Sequence, residues 1–189
     1  MEIEPLEPDC FYHVYNRGIN RQPFLTEESH FIKFMSLCKK YLPRIADVYA
    51  YCLLPNHFHF LLYIRVYPDR VSLPPCQGIS HLCNSYAQWF NRRSDRVGGL
   101  FQRPFRRKKI TDQDYLKQVI YYIHRNPLHH NLTGNPVNYR FSSYREFISD
   151  QPTILQREQV LEWFDGRENF IHFHSSQFNH FTISVLEDE

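Results

Sequence analysis

Two short stretches of the chain carry residue types that could do chemistry together. In Leu53-Leu-Pro-Asn-His57-Phe-His59-Phe-Leu-Leu62 two histidines flank one phenylalanine. On a β-strand alternate side chains share a face, so His57 and His59 project together with Cα atoms about 6–7 Å apart, while Asn56, Phe58 and Phe60 point the other way. Two imidazoles so placed can lean onto one divalent ion at about 2.1 Å per nitrogen, with Phe58 anchoring the strand in the core. A second triplet, His172-Phe-His174, is an internal control: its helical context splays the rings by about 200°, so metal binding is not expected there. The other stretch is Gln118-Val-Ile-Tyr-Tyr122-Ile-His-Arg-Asn126-Pro. On a helix Tyr122 and Asn126 lie on one face about 6 Å apart along the axis, so a phenol and an amide oxygen could both face the strand histidines. Asn126 would then be a third ligand, and two imidazoles with one oxygen suit manganese or magnesium better than a closed structural zinc site. The same two residues also read as a packed aromatic and a helix-terminal asparagine before proline, and one helix alone does not choose between the readings.

Bringing these groups together requires a strand pair and a helix. Phe11-Tyr-His-Val-Tyr15 reads as a strand closed by the turn Asn16-Arg-Gly18, and Thr26-Glu-Glu-Ser opens a helix that runs to about Tyr41 before Pro43. Asp47 to Leu54 and His57 to Ile64 are strand-like and joined tightly; the proline-rich Tyr67 to Gly78 is a predicted loop. A helix from Ile79 to Asn91, the flexible Val97-Gly-Gly, a basic strand from Phe105 to Ile110 and a helix capped by Thr111-Asp-Gln-Asp and ending at Asn126 complete the pattern. This order predicts an α+β domain over residues 1–150, an antiparallel sheet with helices on one face, followed by a short C-terminal helical extension over 151–189.

Composition excludes several alternatives. With 189 residues, 42% hydrophobic and 22% charged, the chain fits one globular domain with an appendage. No apolar run approaches the roughly 18 residues of a membrane span, and the acidic start is unlike a secretory leader, so a soluble, cytoplasmic protein is expected. Five cysteines without a Cys-x-x-Cys pair argue against a disulfide framework, and Cys76, His81 and Cys83 have the wrong spacing for a zinc finger. The net charge of +2 conceals a division: Arg92 to Lys109 holds eight basic residues and one acid, a local +7, against −5 elsewhere. Phe101, Gln102 and Phe105 interleave this strip, a pattern suited to phosphate contact with base stacking.

Four segments in this order, Leu53 to Leu62, Gly98-Gly-Leu-Phe-Gln-Arg103, Tyr122-Ile-His-Arg-Asn126-Pro and Phe141-Ser-Ser-Tyr144, resemble the signatures of the single-tyrosine, histidine-hydrophobe-histidine (HUH) transposases. The resemblance covers about residues 11 to 148 and is nearest to the REP-associated tyrosine transposases. It implies a ferredoxin-like sheet and cleavage and rejoining of single-stranded or hairpin DNA through a 5′-phosphotyrosine. By this likeness the metal ligands fall on His57, His59 and Asn126, the nucleophile on Tyr122, and the cofactor is Mg2+ or Mn2+. Many relatives have arginine where this chain has Tyr121, which makes Tyr121 a competing nucleophile, but one residue rotates the side chain by about 100°, away from Asn126. Tyr115 shares the face but stands about 10 Å away. Arg17, Arg103, Arg106, Arg107, Lys108 and Lys109 are expected to track phosphates, with Phe101 or Phe105 stacking on bases. Whether Tyr122 serves its own histidines or those of a second copy in a homodimer stays open. The competing class is a hairpin DNA or RNA binder of the same fold without chemistry.

Overall fold

The computed structural model describes residues 5–66 and 73–176. Strand β1 (Cys10–Arg17) turns Tyr12 and Val14 to one side and Phe11, His13 and Tyr15 to the other. It pairs antiparallel with β3 (His57–Ile64) and with β4 (Arg106–Ile110), and β2 (Ala46–Leu54) pairs with β3, giving the sheet order β2-β3-β1-β4. With α1 (Glu28–Tyr41) between β1 and β2, and α2 (Pro75–Arg93) between β3 and β4, the chain follows the ferredoxin-like order.

Helices α1 and α2 cover one face. Phe58 enters this layer, 5.2 Å from the ring of Phe34, which in turn meets Tyr86 at 5.0 Å. Gly78 permits the close approach of α2, since a Cβ there would lie 2.8 Å from Ile45. The sequence pattern placed all helices on one face; instead α3 (Gln113–His129) packs on the opposite one, bringing Tyr122 against His59. The reason is legible in β3, seven of whose eight residues are buried, so both of its faces need cover.

Three boundaries also shift. Glu27, rather than Thr26, is the N-cap of α1, with the His30 ring accepting the Glu27 backbone N–H. α2 starts at Pro75, a residue whose missing N–H costs nothing in a first turn, so the expected loop is shorter; its residues 67–72 lie outside the described residues. α3 continues through Pro127 to His129, because proline so near a helix end sacrifices little.

After the single turn α4 (Tyr144–Phe147), the extension forms α5 (Arg157–Trp163) and α6 (Arg167–Ser176), which pack on the α3 side. Trp163 stacks on Tyr49 with ring centroids 5.1 Å apart, and Phe164 and Phe170 join the main core. Among the described residues no helix is long and apolar enough to cross a membrane.

Candidate active site

Strand register brings the histidines their neighbours. Arg17 lies opposite His57, Tyr15 opposite His59 and His13 opposite Leu61, so β1 presents His13, Tyr15 and Arg17 on the face covered by α3. His57 and His59 are buried with ring centroids 5.1 Å apart. The Tyr122 ring stands edge-on to both His59, at 5.7 Å, and His13, at 5.8 Å. One turn further along α3, Asn126 Oδ1 lies 3.4 Å from His57 Nε2. All four groups meet within a single chain. Tyr121 faces elsewhere, toward Phe173 and His174 of α6 at 5.9 and 5.6 Å. Tyr115 sits under Lys108, whose Nζ is 5.4 Å from its ring centre.

Hydrogen bonding fixes which nitrogen of His57 is available. Asn56 donates through Nδ2 to the Arg21 carbonyl at 3.1 Å, which orients its amide and leaves Oδ1 to accept from His57 Nδ1 at 2.6 Å. His57 Nδ1 therefore carries the proton, and Nε2 turns a lone pair toward Asn126 Oδ1. His59 Nδ1 pairs with His13 Nε2 at 3.0 Å. Burial, with His130 and Arg17 nearby, holds the His57 imidazole down to about 3. Burial first, then the surrounding His13, His57, His130 and Arg17, pushes His59 well below the ordinary histidine value. Both rings are neutral at pH 7.

This arrangement fits a divalent ion. Two acceptors, His57 Nε2 and Asn126 Oδ1, face each other across a gap that a cation bound to both would bridge, at about 2.0–2.2 Å per ligand. Asn126 Nδ2 and His13 Nδ1 are buried without hydrogen-bond partners, a cost tolerated at sites shaped for something else. Among the described residues no three His, Cys, Asp or Glu side chains converge as a metal cluster. A metal at the histidine pair would therefore need the amide oxygen as third donor, and the Cys76, His81 and Cys83 set does not assemble.

The sequence matches no protein-family model and no curated protein. Among solved structures, that of a REP-associated tyrosine transposase bound to a REP hairpin aligns with a TM-score of 0.58 at 14% identity, covering 82% of this chain and 88% of that one. The chain has the fold of a REP-associated tyrosine transposase. Two structures of a bacterial tRNA(His) guanylyltransferase-like protein, with GTP and with ATP, reach TM-scores of only 0.43 and 0.41. They are 14% and 13% identical and cover 70% and 88% of this chain and 70% and 73% of theirs.

Within this transposase fold the basic strip is divided by the pleat of β4. Arg106 pairs with Tyr15 and Lys108 with His13, on the face of the histidines, whereas Arg107 and Lys109 pair with Val14 and Tyr12 on the α2 side. Arg107 lies 4.0 Å over the Phe105 ring and donates to Cys76 Sγ at 3.0 Å; Lys109 pairs with Glu7; Arg103 donates to Asn84 Oδ1 at 3.0 Å. The stacking expected of Phe101 and Phe105 is corrected by their burial, at 6% and 8% exposure: Phe101 packs on Phe24 and Phe58, and Arg107 covers Phe105. Neither offers a ring face to a base. Sequence reasoning missed His13, Asn56, Arg21 and His130, whose ring is 4.6 Å from that of His57. Strand alternation groups His13 with Tyr15 and Arg17, but only the register shows which strand they meet.

Proposed function

We propose that the protein is a divalent-metal-dependent enzyme that nicks and rejoins single-stranded DNA beside hairpin-forming repeats, acting in the cytoplasm. The observation that carries this reading is the meeting, in one chain, of two neutral imidazoles, an amide oxygen and the Tyr122 ring. The likeness to a REP-associated tyrosine transposase bound to a REP hairpin supports the substrate class.

His57, His59 and the Asn126 oxygen would hold a magnesium or manganese ion, which would supply Lewis-acid polarisation of the scissile phosphate. Asn56 keeps His57 in the tautomer that leaves Nε2 unprotonated, and His13 Nε2 pairs with His59 Nδ1. Tyr122 supplies the nucleophile: its hydroxyl gives up its proton to solvent as the oxygen forms a bond to phosphorus, the phosphorus–O3′ bond breaks, and the departing oxygen takes up a proton from solvent to become a 3′-hydroxyl. The phosphodiester energy is retained in a 5′-phosphotyrosine, so the 3′-hydroxyl of a second strand can reverse the step and release Tyr122 without a nucleotide cofactor. Arg17 and Arg106, on the same face, attract the phosphate backbone.

Labelled single-stranded DNA containing a flanking palindromic repeat, incubated with the protein and Mn2+, is expected to give a covalent adduct on a denaturing gel. The adduct should disappear with EDTA and in Tyr122→Phe. An adduct that persists in Tyr122→Phe overturns the assignment of the nucleophile. Hairpin binding that survives EDTA, with no adduct on any flanking repeat, would make the protein a non-catalytic binder of the same fold.

A further inference from the structure

Beside His57, on the α3 side of the sheet, opens a cavity of about 200 Å³ lined by Tyr15, Arg17, Arg21, Gln102 and Arg106. Among the described residues three guanidinium groups and no carboxylate line it, and they arrive from three separate elements. Arg17 ends β1, and Arg106 begins β4 across from Tyr15. Gln102 comes from the segment whose backbone N–H bonds the Arg17 carbonyl at 2.9 Å. Arg21 comes from a tight turn in which Asn20 and Arg21 both take positive φ, 54° and 57°, a conformation that non-glycine residues adopt at a cost.

That turn is tied to the histidine pair. Gly18 N–H bonds the Asn56 carbonyl at 2.8 Å, and at Gly18 a Cβ would lie 2.2 Å from the Gln22 carbonyl oxygen, so only glycine lets the chain fold back here. Asn56 then holds the Arg21 carbonyl with one end of its amide and His57 Nδ1 with the other. One side chain thereby sets both the orientation of a proposed metal ligand and the position of the Arg21 backbone.

We propose that this cavity is a phosphate subsite, holding the phosphodiester next to the one engaged at His57 and His59 in single-stranded DNA; it rests on the nucleic-acid reading above. Its volume is below the roughly 300–1,000 Å³ of pockets that enclose whole small molecules, and suits a tetrahedral anion with water better than a base. Arginine is the side chain whose planar fork matches phosphate oxygens two at a time, and Gln102 adds a neutral amide at the same rim.

The test uses the full chain in EDTA, so that no metal mediates anion binding. Inorganic phosphate is titrated against sodium chloride of equal ionic strength, following the thermal midpoint and the arginine Nε–H resonances. Phosphate is expected to raise the midpoint above the chloride control and to shift the Arg21 signal. Arg21→Gln should weaken phosphate binding roughly tenfold or more, the size of one charge-assisted hydrogen bond, and Arg21→Lys should restore only part of it, because the charge returns without the fork. Arg106→Gln, a strand substitution remote from the strained turn, is run in parallel and should weaken binding similarly. Wild-type affinity in both glutamine variants, or a wild-type response to phosphate no greater than to chloride, overturns the subsite. Tyr122→Phe should bind phosphate normally. A wild-type protein that binds phosphate through Arg21 yet forms no DNA adduct keeps the subsite and refutes the enzyme; an adduct with an indifferent Arg21 does the reverse.

Discussion

Acidification should undock the C-terminal extension through His174. In α6 the His174 Nδ1–H donates to the Phe170 carbonyl at 2.8 Å, so its Nε2 must accept from His124 Nδ1 at 2.9 Å. His124 Nε2 then accepts from Ser143 Oγ at 2.8 Å, and Ser143 Oγ accepts from the Tyr51 N–H at 2.9 Å. A proton added to His174 Nε2 or His124 Nε2 breaks this chain inside the core. Burial accordingly holds His174 down to about 4 from an ordinary value of 6.5, and pushes His124 well below it. The unfolded chain therefore takes up the His174 proton first. Its stabilisation is complete above pH 6.5, declines as pH falls from 6.5 to about 4, and changes no further below that, where both states are protonated. The gap is worth about 3 kcal/mol at roughly 1.4 kcal/mol per pH unit. Urea unfolding monitored by circular dichroism, with hydrogen exchange of the α6 amides, would compare wild type with His174→Gln at pH 7.5, 6.5, 5.5 and 4.5. Glutamine keeps an acceptor for His124 but does not titrate, and the other buried histidines are common to both proteins. Wild type should lose about 2.5 kcal/mol more than the variant over this interval, since the last part of the change lies below pH 4.5. Parallel pH profiles would refute the argument.

Three further outcomes are expected. Asn56→Ala, which releases His57 Nδ1, should lower Mn2+ affinity about 10–100-fold by calorimetry or manganese paramagnetic resonance, while unchanged affinity would exclude its orienting role. Phe58→Ala, which empties the space between Phe34, Phe60 and Phe101, should cost about 3–5 kcal/mol in urea, and a loss below 1 kcal/mol would contradict the packing described. For single-stranded DNA, Arg106→Gln should reduce the slope of log affinity against log salt by about 0.7, the value of one phosphate, whereas Arg107→Gln should leave it unchanged; equal slopes would show that the pleat of β4 does not sort the charges.

The parts of the molecule that were legible in the sequence are those with a period. Strand alternation placed His57 and His59 on one face opposite Phe58, and the helical repeat placed Tyr122 and Asn126 together and Tyr121 apart. The position of α3 was hidden because the run His-Phe-His-Phe-Leu-Leu is buried on both faces and shows no polar side to exclude a second helix layer. His13 was hidden for a different reason: its partnership with His59 depends on the β1–β3 register, which no local pattern records. The basic strip misled in its aromatics. Phe101 lies among arginines in sequence, yet it bridges to Gly18 and turns inward against Phe24, a choice made by tertiary packing.

The placement of β4 at the rim of the sheet has a consequence for self-association. The far rim, β2, is closed over by the chain itself: Leu53 N–H bonds the Phe141 carbonyl at 2.9 Å, and the Gln156 N–H bonds Val48 at 2.9 Å. Among the described residues β4 has a strand neighbour only on its inner side, and its outward backbone runs through Arg106, Arg107, Lys108 and Lys109. Four successive cations repel an identical strand arriving antiparallel, which guards the sheet against growing by addition of a second copy. Growth of the sheet through this edge is disfavoured by the charges of its own strand.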